Sequence, residues 1–239
     1  MRRILALALG VLAVWGGVQV ALYLSRMAPA VLSLPRRIKQ ELAIHGSYVV
    51  PLSAMAPSLL KAIVATEDRS FWTNVGVSFE GIARALYADI LSGRFVEGGS
   101  TITQELVRDQ LLTPVKTISR KLRGVVLSLY MTRVFTKRDI LRMYLNQVYF
   151  GDGAYGVAMA AKRYFGETPA RLTLAQSALL AGLPQAPSLL DPLRNLRLAK
   201  MRQRTVLQSM VAVGDLTPAQ ARAAYHAPLN LVRGGHLRA

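Results

Sequence analysis

Apolar side chains return at helical spacing over most of this chain. The pattern is clear in LLKAIVATE (59–67), FEGIARALYADIL (79–91), STITQELVRDQLL (100–112), ISRKLRGVVLSLYMTRVF (118–135), KRDILRMYLNQVYF (137–150) and LAQSALLAGL (174–183), each carrying the i, i+3, i+4 rhythm of one buried face. Strand-like alternation is nearly absent; SYVVPLSAM is the one extended run. The expected fold is mainly α, many medium helices around one core, which 239 residues are enough to enclose. Helix starts are marked by Thr101-Ile-Thr-Gln104, by Thr136-Lys-Arg-Asp139, and by Thr217 before Pro218. Two glycine-bearing loops, SGRFVEGGS (92–100) and FGDGAYG (150–156), precede helices and are expected to offer free backbone N–H groups to an anion or a sugar hydroxyl.

The amino terminus breaks this amphipathic pattern. From Ile4 to Leu24 the only polar side chain is Gln19 and there is no charge, a stretch long enough to span a bilayer. The one small-residue cleavage candidate, Ala28-Pro29-Ala30, has a proline at its centre, so an uncleaved transmembrane helix is expected. Arg2 and Arg3 flank one side, and Arg26, Arg36, Arg37 and Lys39 the other, so charge alone leaves the orientation open. The expected organisation is a tail and anchor over 1–26, a juxtamembrane linker over 27–50, one domain over 51–226 and a tail over 227–239. The stretch beyond Pro192 reads as one or two helices with a basic strip, RNLRLAKMRQR, expected to be a solvated helix surface.

Composition narrows the partners. Thirty basic residues against 13 acidic ones give a formal charge of +17, a field suited to nucleic acid, anionic lipid or a pyrophosphate-bearing substrate. With an anchor present, the membrane-side partners are favoured and nucleic acid is not expected. The chain has no cysteine, which removes disulfides, thiolate catalysis and the common structural zinc sites. The three histidines, His45, His226 and His236, lie far apart and form no ligand pattern.

Within so basic a chain, ATEDRSFW (65–72) sets Glu67 and Asp68 together before an aromatic pair. Held against Phe71 and Trp72, Glu67 would lose solvent and gain the raised pKa of a general base. On these eight residues alone a solvated acid pair at a helix end fits at least as well. In GGSTITQELVRDQ, residues Thr101, Glu105 and Arg108 fall on one helical face, combining hydroxyl, carboxylate and guanidinium. Arg120, Lys121 and Arg123 open another helix, as a solvated basic face or as a grip for pyrophosphate.

In order along the chain these stretches resemble the peptidoglycan glycosyltransferases, the family 51 enzymes that include monofunctional transglycosylases and the amino-terminal domains of class A penicillin-binding proteins. The likeness covers roughly Pro51 to Pro192. The first motif, Glu-Asp-x-x-Phe-x-x-His-x-Gly, is matched by Glu67, Asp68, Phe71 and Gly76, with Asn74 in place of the histidine. The second, Gly-x-Ser-Thr-Ile-Thr-Gln-Gln-Leu-Val-Lys-Asn, is matched from Gly98 through Ser100, Thr101 and Gln104, then departs at Glu105, Arg108 and Asp109. The third, Arg-Lys-x-x-Glu, is matched by Arg120 and Lys121, with Gly124 where the glutamate belongs. Two later blocks, KRDILRMYLNQVYFGDGAYGVAMAAKRYFG and LTLAQSALLAGLPQAPSLLDP, follow in order, with Arg142 where an acid is common.

The resemblance implies a lysozyme-like, mostly helical domain on the outer face of the bacterial cytoplasmic membrane. Its single-pass anchor would keep a short tail inside, and the domain would polymerise lipid II onto a growing lipid-linked glycan strand. Other cell-wall synthesis proteins are expected as partners. By analogy Glu67 is the general base and Asp68 its neighbour, and Glu105 partly replaces the carboxylate missing at Gly124. Phe71, Asn74, Gly76, Ser100, Thr101, Gln104, Arg108, Arg120, Lys121, Asn146 and Tyr149 are the expected substrate contacts. No intrinsic cofactor is expected; a divalent cation, Mg or Mn, would enter only on the substrate pyrophosphate. The alternative is a catalytically impaired relative that binds lipid-linked precursor or a synthesis partner. A basic nucleic-acid or phospholipid binder, or a glycan hydrolase, accounts for fewer of these motifs.

Overall fold

Proline placement shapes the first two helices. In the computed structural model, which describes residues 2–81, 83, 99–115 and 117–232, helix α1 runs Arg2–Leu32 and α2 runs Leu34–Ile44. Their axes are bent by 45°, where Pro35 can supply no N–H to continue the ladder and crowds the carbonyl one turn back. Among the residues searched, no single helix is long and apolar enough to cross a membrane, while this bent pair together has the length and composition of a broken span. The side chains of residues 2–9 and of Leu12, part of the expected anchor, lie outside the described set.

The stretch expected to be a linker, 27–50, is helical over most of its length. Leu34, Ile38 and Leu42 stand at i, i+4 and i+8 and are all buried, so this segment packs into the core against α6 (Lys137–Gln147). A short helix with one apolar stripe reads as a loop when its polar face carries prolines and scattered basic residues. SYVVPLSAM is extended but unpaired as a strand: Val50 gives its N–H to Asn146 Oδ1 at 2.7 Å, and its carbonyl accepts from Asn146 Nδ2 at 2.9 Å.

The remaining helices are α3 (Pro57–Glu67), α4 (Ile102–Leu111), α5 (Ile118–Val134), α7 (Gly156–Phe165), α8 (Leu174–Gly182), α9 (Leu196–Ala212) and α10 (Pro218–His226). All three predicted caps form. Thr101 and Gln104 make a reciprocal capping box, Thr217 and Gln220 another, and Thr136 accepts the Asp139 N–H. The predicted helix over 79–91 lies almost wholly outside the described residues. Among those described, the only β pairing is a bridge between Tyr149 and Tyr155, so the chain is mainly α as expected.

Two helix groups position the site. Helices α3, α8 and α9 pack on one another, while α4 packs against α5 and α6. One core joins them, with Leu59, Ile63, Leu106, Leu127, Tyr144 and Leu179 fully buried. The carboxyl end of α3 and the amino-terminal turns of α4 meet between the groups.

Candidate active site

Helix α3 ends at Glu67 because the next residue is pulled out of helical geometry. Asp68 has φ −157° and its carboxylate is buried among donors: Asn74 Nδ2 at 2.9 and 3.0 Å, Ser70 Oγ at 3.2 Å and the Ile102 N–H at 3.2 Å. Burial pushes this carboxyl up, while Asn74, the Ile102 amide, Ser70 and the Lys137 ammonium pull it down. Asp68 thus ties the end of α3 to the start of α4. Asn74 completes the tie by accepting from Lys137 Nζ at 2.7 Å and from the Gly76 N–H at 2.9 Å.

The same network reassigns several expected substrate contacts. Asn74 is occupied as a strut. Phe71 is fully buried, edge-on to Trp72 and under the Lys137 ammonium, so it belongs to the core. Gly76 has φ +96°, and a Cβ there would stand 2.4 Å from the Ser128 carbonyl oxygen; glycine is what lets the loop touch α5. Thr101 is buried, caps α4 and donates to the Gly76 carbonyl at 2.7 Å. Asn146 spends its amide on the Val50 backbone and the Arg142 carbonyl. Each of these positions builds the scaffold, which is enough to account for its place in the motifs; Asn146 also lines a cavity of about 270 Å³.

Glu67 itself is nearly enclosed. Its Oε1 is buried with no hydrogen-bond partner among the described residues, and Arg202 Nη2 lies 3.7 Å away. Burial first, and then the Glu105 carboxylate, push the Glu67 carboxyl up to about 8; Arg202 and Arg108 oppose them. Glu105 is raised as well, mainly by burial and against Arg108, and its Oε2 accepts the Tyr144 hydroxyl at 3.0 Å. Two buried carboxylates close enough to couple cannot both be charged cheaply.

Two cavities open beside this pair. The smaller, about 390 Å³, is lined by Glu67, Asp68, Arg69, Ser70, Thr73, Ser78, Glu80, Gly81, Gly99 and Ser100. The larger, about 710 Å³, is lined by Ser100, Gln104, Arg108, Asp109, Leu112, Pro114, Arg120, Lys121 and Gly124. Ser100 is common to both. Arg120 Nε is buried and lacks a partner among the described residues, an unmet donor beside an open, basic space. Arg108 is already engaged: Nε and Nη2 reach the two Asp109 oxygens at 2.7 and 3.3 Å.

Glu105 and the FGDGAYG loop are placed differently from expectation. Glu105 is not part of the cavity that Gly124 lines; it sits beside Glu67 and Tyr144, so its place is not that of the missing acid. Tyr149 lines a space of about 270 Å³ with His45, Asn146 and Tyr155, which meets the larger cavity at Asp109. The FGDGAYG loop is not an open donor set either, since the Phe150, Ala154 and Gly156 N–H groups bond within the turn and Gly153 N–H meets the Tyr149 hydroxyl. Gly98 lies outside the described residues.

Sequence reasoning missed Arg202 and Tyr144. Arg202 lay inside a basic strip that reads as solvated; its spacing from Ala199 and Val206, both buried on α9, was the available signal, while its carboxylate partner needs the packing of α3. Tyr144 was quoted within its motif, but its hydroxyl partner becomes visible only when α4 and α6 are packed.

The transglycosylase family matches residues 37–211. The chain belongs to that family. Among its relatives, penicillin-binding protein 1A of Rickettsia felis is 40% identical over 89% of this chain and 27% of its own length. The Escherichia coli protein of the same name is 42% identical over 75% of this chain and 22% of its own. A Cupriavidus necator protein provisionally named a transglycosylase is 40% identical over 92% of this chain and 94% of its own length. The chain therefore spans about a quarter of the penicillin-binding proteins it resembles and nearly all of the last relative. The family match begins within α2, the segment expected to be a linker. Among the described residues no group of three or more His, Asp or Glu side chains is placed to hold a metal ion.

Proposed function

We propose that this transglycosylase is a membrane-anchored peptidoglycan glycosyltransferase. It would polymerise lipid II into β-1,4-linked glycan with inversion at the anomeric carbon and release of the lipid pyrophosphate. The observation that carries the reading is Glu67, a buried carboxylate with a free oxygen and a titration pushed up to about 8, lying where an open pocket adjoins a basic cavity. A base of this kind can take the acceptor 4-hydroxyl proton as the new bond forms. Arg120 and Lys121, with Arg108, meet the charge that develops on the leaving pyrophosphate.

On this reading the acceptor sugar occupies the smaller cavity beside Glu67 and the donor pyrophosphate the larger one, with the reacting atoms meeting near Ser100. Any divalent cation would arrive on the pyrophosphate, because among the described residues the one carboxylate lining the larger cavity, Asp109, is already held by Arg108. The single-pass anchor would be α1, because α2 buries Leu34, Ile38 and Leu42 in the domain, and the domain would lie on the outer face. A lysozyme-like fold fits the helical architecture. Partners are the membrane, the lipid-linked strand and other cell-wall synthesis proteins.

A second reading is supported by Gly124, which leaves the larger cavity without the family's acid. In that case the protein binds lipid-linked precursor without joining it. Polymerisation of labelled lipid II by the detergent-solubilised chain, beside Glu67→Gln, separates the two. Glycan from the parent and none from the variant is the expected result; no glycan from either, with full binding of lipid II, supports the second reading and ends the first.

A further inference from the structure

The strip RNLRLAKMRQR is expected to be solvated, and most of it is. Arg197, Met201 and Arg204 are exposed. Arg202 is not: its side chain keeps only 17% of its exposure, and it reaches between α3 and α8. Its Nη2 stands 3.7 Å from Glu67 Oε1 and its Nε 3.4 Å from the Gly182 carbonyl oxygen. A guanidinium this far from water requires an anion, and leaving it unpaired is costly.

Gly182 makes the approach possible. It is the last residue of α8, and a Cβ built there would lie 2.7 Å from Arg202 Cγ and 3.4 Å from Val206 Cγ2. Any side chain at 182 would therefore push the stem of Arg202 out of its channel. The Arg202–Glu67 separation also matters chemically. At 3.7 Å it is an ion pair without a hydrogen bond, so the guanidinium attracts the carboxylate while the Oε1 lone pair stays free to accept a proton.

We infer that Arg202, admitted by Gly182, is a positioning residue that holds the Glu67 carboxylate in place and favours its charged form for the reaction. This rests on Glu67 being the base proposed above. Facing Glu67 are Arg202 from α9, Glu105 and Arg108 from α4, Tyr144 from α6 and the adjoining Asp68. Arg202 and Arg108 are the cations that oppose Glu105 and desolvation, and Arg108 divides its charge with Asp109. Arg202 is thus the cation most committed to Glu67.

Three variants of the full chain in detergent micelles test this: Arg202→Met, Arg202→Lys and Gly182→Ala. The first readout is the pH dependence of lipid II polymerisation. In Arg202→Met the acid limb moves to higher pH by on the order of one unit, about tenfold in rate at a fixed pH on the limb. Gly182→Ala moves it the same way with the arginine still in the sequence, and Arg202→Lys keeps the parental limb at reduced amplitude. The second readout does not depend on turnover: the ¹³Cδ resonance of labelled glutamate that disappears in Glu67→Gln is titrated in each variant. It shifts upward in Arg202→Met and stays in Arg202→Lys. An unchanged Glu67 titration in Arg202→Met, or a lower rate with an unmoved limb, would overturn the positioning role. A shifted resonance in a protein that makes no glycan would keep the positioning role and reject the proposed reaction.

Discussion

Replacing Glu105 by glutamine removes a charge beside Glu67 while conserving shape. The amide oxygen can still accept the Tyr144 hydroxyl, now at 3.0 Å from Oε2, so α4 and α6 remain joined. Glu67 stands at about 8, raised first by burial and next by Glu105. Burial survives the substitution, so the titration falls only part of the way toward an ordinary glutamate. Loss of one like charge from a buried pair is worth on the order of one pKa unit, or about 1.4 kcal/mol. With a titration at about 8, about a tenth of Glu67 is ionised at pH 7; after a one-unit drop, about half is.

Initial rates of glycan formation from labelled lipid II, taken from pH 6 to pH 9.5, read this directly. Glu105→Gln is expected to move the acid limb down by about one unit and raise the rate at pH 7 about fivefold. The alkaline plateau stays near the parental value or slightly below it, since a weaker base accepts the proton less readily. An unmoved limb would refute the coupling of the two carboxylates. A plateau lost at every pH would make Glu105 a direct participant, the role the sequence reading gave it.

Other consequences are open to simpler measurements. Glu67 titrates above its unfolded value of 4.5, so the folded protein holds the extra proton and stability falls as pH rises from about 4.5 through about 8. Glu67→Gln should match the parent Tm at pH 4 and exceed it at pH 8.5 by about ten degrees, and an equal Tm at both would contradict the shift. Gly76→Ala forces φ +96° on a residue with a Cβ aimed at the Ser128 carbonyl, which should cost about 2–4 kcal/mol in denaturant unfolding. Gly124→Ala meets only Leu112 Cδ1, at 3.4 Å, and should stabilise α5 by about 0.5–1 kcal/mol, visible as a higher Tm. Arg120→Ala should weaken inhibition of polymerisation by inorganic pyrophosphate severalfold, and an unchanged inhibition constant would remove Arg120 from the anion site.

The helices were legible because amphipathic spacing and Thr caps are local signals; Thr101, Thr136 and Thr217 each begin a helix where the sequence places one. Helix α2 was not, since its stripe of Leu34, Ile38 and Leu42 is too short to stand out among prolines and basic residues. In the site, Glu67, Arg120 and Lys121 could be named from motifs. Their division from Phe71, Asn74, Gly76, Thr101 and Asn146 could not, because motif membership is the same for a residue that lines a cavity and for one that braces it. Arg202 required the packing of three helices distant in sequence, and Gly182 acquires meaning only from the Arg202 stem beside it.

The departures from the family motifs read differently once they are placed in space. The missing acid at Gly124 belongs to the larger cavity, whereas the acids gained at Glu105 and Asp109 both lie on α4. Glu105 acts on the Glu67 side, raising the titration of the proposed base. Asp109 acts on the anion side, where its two oxygens engage the fork of Arg108 and leave less of that cation for phosphate. Both gains therefore oppose the proposed reaction at neutral pH, one by protonating the base and the other by sharing a cation. Against them stand Arg120, whose Nε lacks a partner among the described residues, Lys121 beside it, both matching the motif, and Arg202 behind Glu67. If the proposed reaction holds, the charge state of this site, more than its shape, would decide how fast it runs.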